Sequence, residues 1–218
     1  MYIEIFENYT EKFKFILPFI LAEVIFQDFY FNMGFNNYGF INKERLIQIL
    51  FYFTIGMLFT NFLMLILKNI INKEHINIEK DFKESIEFYP KCVKLNVIMF
   101  IVTIFIMLLD GLLKFTPLTI CLTIVYNTLL DPCISYLIYY NASVIDALKN
   151  GIILGKKYFA KILLINLIIN IISYTNVNLE SSIQYSFINY IKISVEVYQA
   201  MFLMYLCNRR KYYENKKI

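Results

Sequence analysis

The sequence predicts an all-α, polytopic membrane protein: a bundle of about six transmembrane helices with two short cytoplasmic amphipathic helices. Three observations carry that expectation. The chain of 218 residues is 59% hydrophobic and only 17% charged, with a mean hydropathy of +0.55, whereas a soluble domain is nearer half apolar and about a quarter charged. The apolar residues gather into runs that approach about 20 residues, the length of helix that crosses a hydrocarbon core. The basic residues are shared very unevenly among the segments that join those runs.

A single transmembrane domain over residues 1–218 accommodates the spans in order. The first, about 13–35, is the least apolar, since it holds Pro18, Glu23, Gln27 and Asp28; it either crosses or lies in the interface, and an even total of spans favours crossing. The second, about 46–67, has no charge before Lys68. The third, about 92–113, is charge-free only from Leu95 to Leu109, so it needs Lys94 to snorkel. The fourth, about 115–140, is interrupted by Asp131 and Pro132. The fifth, about 158–174, is short. The sixth, about 187–207, contains Lys192 and Glu196.

Two of the connecting segments read as amphipathic. In 72–91, Ile78, Phe82 and Ile86 recur every four residues and Glu79–Lys83 is an i,i+4 ion pair, the pattern of a helix on a membrane surface. In 143–154, Ser143 and Asp146 form an S-x-x-D helix start. Val144, Leu148 and Ile152 make one stripe, with Asp146, Lys149 and Asn150 opposite. Gly151 and Gly155 lower helix propensity and predict an end before Lys156–Lys157. This second helix is expected to lie along the cytoplasmic interface, with Ser143, Asp146, Leu148 and Lys149 as its marker residues.

Orientation follows from the basic residues. With six spans, all but Lys43, Arg45, Lys114 and Lys192 of the 21 Lys and Arg residues fall on one side. The positive-inside rule makes that side cytoplasmic, with both termini on it. The Ile, Asn, Lys, Phe and Tyr bias is what an AT-rich genome encodes, so the expected location is the cytoplasmic membrane of a low-GC bacterium. Without Trp, any aromatic belt must use Tyr. Residues 1–11 carry Glu4, Glu7 and Glu11 rather than a basic start, and no small-residue cleavage site follows, so the first run is expected to be retained. Cys92, Cys121, Cys133 and Cys207 form no C-x-x-C pair and read as small hydrophobic filler. The lone His75 lies in a charged loop.

The stretch from Asp131 to Tyr140, followed by Asn141 to Lys157, resembles the membrane domain attached to some bacterial glycerophosphoryl diester phosphodiesterases and related stand-alone six-span proteins. The pattern S-x-x-[DE]-A-L-x-x-[SG]-x-x-L-x-K is carried here by Ser143, Asp146, Ala147, Leu148, Gly151, Leu154 and Lys156, within about 40 residues. The end is also similar: a last span running into Tyr205 and the basic tail Asn208-Arg209-Arg210-Lys211. The resemblance implies a fold and a location. It implies no reaction, because the phosphodiesterase chemistry belongs to a separate soluble domain that this chain lacks. An internal echo points the same way: Asp81 to Ile86 precedes the third span much as Ser143 to Leu148 precedes the fifth, so a unit used twice in parallel is one reading and ordinary loop amphipathicity the other.

Motifs for catalysis are missing. There is no G-x-S-x-G, H-E-x-x-H or glycine-rich phosphate loop, so an enzyme is not expected, and neither metal, cofactor nor nucleic acid is expected to bind. What remains is a set of polar residues inside apolar runs, where an ionised group costs about 2.5–3.5 kcal/mol on insertion scales. Glu23, Asp131, Lys192 and Glu196 stand out as a candidate intramembrane site. Lys192 and Glu196 sit i,i+4 and can pair. Glu23 and Asp131 have no partner in their own spans, and Asn166 and Asn170, one turn apart on the fifth span, are expected to serve them. Such groups serve an ion path or lock helices together. Two function classes follow. One is an accessory or scaffold membrane protein touching anionic lipid or a partner. The other is a small transporter or permease subunit, acting as a homo-oligomer or with a separate ATPase, in which Glu23, Asp131 and Glu196 converge on a polar cavity.

Overall fold

Helix termination in this chain is local and chemical. Lys73 adopts φ 58° and its N–H returns to the carbonyls of Asn69 and Ile70, closing one helix. Asn77 opens the next by accepting from the Lys80 N–H at 3.1 Å. The same devices recur 68 residues on: Asn141 adopts φ 49°, Ala142 N–H returns to Leu137 O, and the Ser143 hydroxyl accepts from the Asp146 N–H at 3.2 Å. A left-handed residue at the C-terminus followed by a side-chain N-cap is the ordinary way to join two antiparallel helices. The computed structural model describes residues 2–32, 52–113, 116–177 and 182–215.

Those residues form eight α-helices and no strand. They are α1 (Tyr2–Glu11), α2 (Phe13–Asn32), α3 (Met57–Asn72, entered through a π-helical turn Tyr52–Gly56), α4 (Ile78–Leu113), α5 (Thr116–Tyr140), α6 (Val144–Lys157), α7 (Phe159–Val177) and α8 (Ser182–Asn215). The expected span 115–140 coincides with α5 and 158–174 with α7. The span 187–207 lies inside the longer α8. The start of span 46–67 and the end of span 13–35 fall outside the described residues.

Helix α8 is the hub, packing against α1, α2, α3, α5 and α7. Its inner residues Ile193, Met201, Phe202 and Leu206 are sealed in a core with Leu65 and Leu67 of α3, Leu137 and Ile138 of α5, and Ile162 of α7. Helix α1, not anticipated from the acidic N-terminal residues, docks on α8 through Tyr9. Its hydroxyl donates to the Ser194 carbonyl at 3.3 Å and its ring meets Tyr198 edge-on. Burial pushes the Tyr9 phenol up to about 12.

The outside is apolar. On α4, Val97, Phe100, Ile101, Phe105, Leu108 and Leu112 are all exposed, and Leu164, Ile168 and Ile171 of α7 join them. Apolar surface on this scale is unstable in water and matched by lipid. The stretches Thr54–Asn72, Ile78–Ile106 and Pro117–Tyr140 are long and apolar enough to cross a membrane, and Phe159–Thr175 is a shorter apolar helix. The described residues are therefore almost entirely helical and include helices long and apolar enough to span a membrane.

Two expectations about amphipathic helices are corrected. The segment 72–91 is not a separate surface helix. Residues 78–91 are the first part of the 36-residue α4, which runs unbroken through Pro90 into the apolar segment. Proline removes one N–H and leaves the remaining ladder to carry the helix. The segment 143–154 is a capped helix, but it neither ends at the glycines nor lies apart from the bundle. A Cβ at Gly151 would fall 2.6 Å from Cys133 Cα, and one at Gly155 2.6 Å from the Leu129 carbonyl oxygen. Helix α6 thus returns antiparallel along the last turns of α5 at a spacing only glycine allows. Its buried face is Ala147, Gly151, Leu154 and Gly155, while Val144, Leu148 and Ile152 lie half-buried beside it.

The internal echo takes a definite form. Turn, capped amphipathic stretch and apolar stretch follow α3 as the single helix α4. They follow α5 as α6 and α7, which are separated only by Tyr158.

Candidate intramembrane polar site

Thr128 and Asp131 lie one turn apart on α5, next to Pro132. Proline has no N–H for the Thr128 carbonyl one turn back, and the Thr128 hydroxyl donates in turn to the Ile124 carbonyl at 2.7 Å. Facing them are Asn166 of α7 and Gln199 of α8, both buried. Asn166 Nδ2 donates to Asp131 Oδ2 at 2.9 Å and to Thr128 Oγ1 at 3.2 Å. Gln199 Nε2 donates to the same Asp131 oxygen at 3.0 Å and to Asn166 Oδ1 at 2.7 Å. The two hydrogens of each amide are thereby used, and three helices are joined through one carboxylate oxygen.

Asn166 is the expected partner of Asp131. Asn170 is not: its amide donates to the Asn166 backbone carbonyl at 2.7 Å, one turn back on its own helix, and its side chain braces α7 instead of reaching a carboxylate. Gln199 and Thr128 escaped the sequence reading. The signal for Gln199 was available, since an amide three residues after Glu196 shares much of that residue's helix face.

The other carboxylates occupy a different place. Glu196 pairs with Lys192 at 3.5 Å along α8. Glu196 and Glu23 of α2 both line a cavity of about 200 Å³ between α2, α3 and α8, whose walls include Phe19, Phe59, Thr60, Leu63 and Val197. Asp131 is not part of its lining. Of Glu23, Asp131 and Glu196, two line this cavity, and Asp131 is held by the amides of Asn166 and Gln199. Helix α8 is long enough to serve both places, offering Glu196 to α2 and α3 and Gln199 to α5 and α7.

Polar residues also tie the helix ends together. Asn69 Nδ2 donates to buried Asp81 Oδ1 at 2.9 Å, and Tyr139 Oη to Asn72 Oδ1 at 2.8 Å. Tyr140 Oη donates to Cys207 O at 2.8 Å, and Arg210 Nη2 to Asn150 Oδ1 at 3.0 Å with its guanidinium over the Tyr136 ring. The interfacial-helix residues have mainly local roles. Ser143 caps α6 and donates to Asp146 Oδ2 at 2.6 Å, Leu148 packs on the core, and Lys149 points outward, exposed.

Among the described residues, no group of three or more His, Cys, Asp or Glu side chains is arranged to hold a metal ion. Comparison with family models, with curated proteins and with solved structures finds no match.

Proposed function

We propose that the chain is a non-enzymatic, six-span protein of the bacterial cytoplasmic membrane, with both termini in the cytoplasm, and that it acts as an accessory or scaffold. The observation that carries this reading is the closed Asp131–Asn166–Gln199 cluster. Its amide hydrogens are spent on one another and on Thr128, which suits a lock between α5, α7 and α8 better than a station on an ion path. The gathering of the α3–α4 turn, the α5–α6 turn and the end of α8, with Lys91, Arg210 and their partners, supports a basic cytoplasmic end. Helices α2 and α8 complete the six spans, with Glu23 and Glu196 lining their shared cavity.

One observation favours the second reading, a small transporter or permease subunit working as a homo-oligomer or with an ATPase. It is the cavity with two carboxylates and a lysine beside it. Flux measurement separates the two. Purified protein in liposomes under an imposed proton or potassium gradient is expected to leak no faster than protein-free liposomes. A flux that Glu196→Gln or Asp131→Asn abolishes, in variants that remain folded and monodisperse, establishes the transporter instead.

A further inference from the structure

Two glutamates reach one cavity from different helices, Glu23 from α2 and Glu196 from α8. Its volume of about 200 Å³ is the space of about six water molecules and lies below the roughly 300–1,000 Å³ of sites for drug-sized ligands. Every side-chain oxygen among the described lining residues is an acceptor. The two carboxylates are acceptors when ionised. The Thr60 hydroxyl donates to the Gly56 carbonyl at 2.9 Å, which leaves its lone pairs for a guest. No lysine, arginine or histidine is among these residues. The other walls are carbon and the Met64 thioether, with the Phe19 and Phe59 rings 5.3 Å apart between centroids and tilted by 42°. Such a lining suits a positive guest with an apolar skin. Calcium and magnesium take about six or more oxygen ligands, and among the described residues no group of three or more His, Cys, Asp or Glu is placed to supply them. An alkylated ammonium asks for less, a carboxylate for its charge and aromatic faces for its methyl groups.

We propose that the cavity between α2, α3 and α8 binds a small organic cation, an ammonium centre carrying methyl or methylene groups, with Glu23 and Glu196 supplying the negative charge and Phe19 and Phe59 the aromatic faces. This goes beyond the scaffold reading, since occupancy is an equilibrium and needs no flux. It uses the membrane reading in one respect: helices that span a bilayer hold the site in a medium of low dielectric, where attraction between charges is stronger than in water. Lys192 is a built-in competitor. Its ammonium lies 3.5 Å from Glu196, outside the cavity lining, so a guest shares that carboxylate with it.

Radiolabelled tetramethylammonium is the probe, measured by equilibrium dialysis against the purified chain in phosphatidylglycerol nanodiscs, with empty discs as the blank. The expected result is saturable uptake of about one ion per chain with a dissociation constant of about 1 mM or tighter, within reach of a guest this small, and displacement by potassium only at far higher concentration. Glu23→Gln and Glu196→Gln are each expected to weaken binding at least about tenfold, and Phe59→Leu about fivefold. Lys192→Gln, which frees Glu196, is expected to strengthen it, a sign that a merely structural ion pair does not give. In phosphatidylcholine discs, unchanged uptake assigns the site to a free cation and lost uptake to the lipid's own trimethylammonium headgroup; both uphold it. No saturable uptake by the folded, unaltered chain overturns the proposal and leaves the topology and the scaffold reading standing. Uptake unchanged in monodisperse Glu23→Gln and Glu196→Gln proteins overturns it as well. Displacement by potassium at equal concentration overturns the organic class. Should a glutamine variant fail to fold, the potassium competition and Lys192→Gln still decide.

Discussion

Asp131 shows how a carboxylate is accommodated in an apolar helix. An ionised group facing lipid costs a few kcal/mol; here two amides from two other helices donate to one of its oxygens. Replacing Asn166 by Leu removes one of the two donors to Asp131 and the acceptor of one Gln199 hydrogen. The expected loss is about 1–2 kcal/mol, the upper range for hydrogen bonds between membrane helices, measured by denaturant or thermal unfolding in detergent. Ser135 is the contrasting case. It is fully buried and its hydroxyl has no partner among the described residues, so Ser135→Ala is expected to leave stability unchanged or to raise it by up to about 1 kcal/mol. At this scale the sequence singled out Asp131 and Asn166 as polar residues inside apolar runs and was a poor guide to whom such residues meet. Ionisable residues inside apolar runs announce themselves by cost. Asn170 and Gln199 are both amides on inward faces, and only the packing of α7 against α8 decides that one turns to its own backbone and the other to Asp131.

Helices were legible wherever apolar length or a cap marked them, and the contacts between them were not. The Ser143–Asp146 start and the span 115–140 follow from local rules that survive folding. The glycines of α6 were misread because propensity and packing pull in opposite directions: Gly151 and Gly155 weaken an isolated helix yet permit the approach to Cys133 and Leu129. The decisive test is size. Gly155→Leu, which places a side chain against the Leu129 backbone, is expected to cost at least about 3 kcal/mol or to abolish folding, while Lys149→Leu on the exposed face is expected to stay within about 0.5 kcal/mol. Equal effects at the two positions remove the α5–α6 contact from the account. The Ser143 cap is worth less: Ser143→Ala is expected to cost about 1 kcal/mol. The long α4 escaped recognition for a related reason. Its charged first half and apolar second half read as two objects, and Pro90 at the junction looks like a boundary, although Phe88 and Cys92 bury the helix on both sides of that change.

Across the whole molecule, the buried polar contacts and the charges are distributed differently. The polar contacts join α5, α7 and α8 in the bundle and α3, α4, α5, α6 and α8 at their ends, and the apolar surface faces outward. The basic residues follow chain connectivity, and it is this distribution that orients the bundle in the six-span reading. Composition made the membrane class legible at once; the number of crossings is less directly written, because α2 and α8 carry charges within their apolar runs, of which Glu23 and Glu196 line a shared cavity and Lys192 pairs with Glu196. The central claim is the alternating topology, and site-directed labelling measures it most directly. Single cysteines at Phe40, His75, Lys114, Asn141, Asn178 and Ile218, in a background with the four native cysteines replaced, are treated in intact cells with a membrane-impermeant maleimide. The account predicts labelling at Phe40, Lys114 and Asn178, with His75, Asn141 and Ile218 reached only after lysis. Labelling of Ile218 or Asn141 in intact cells contradicts it.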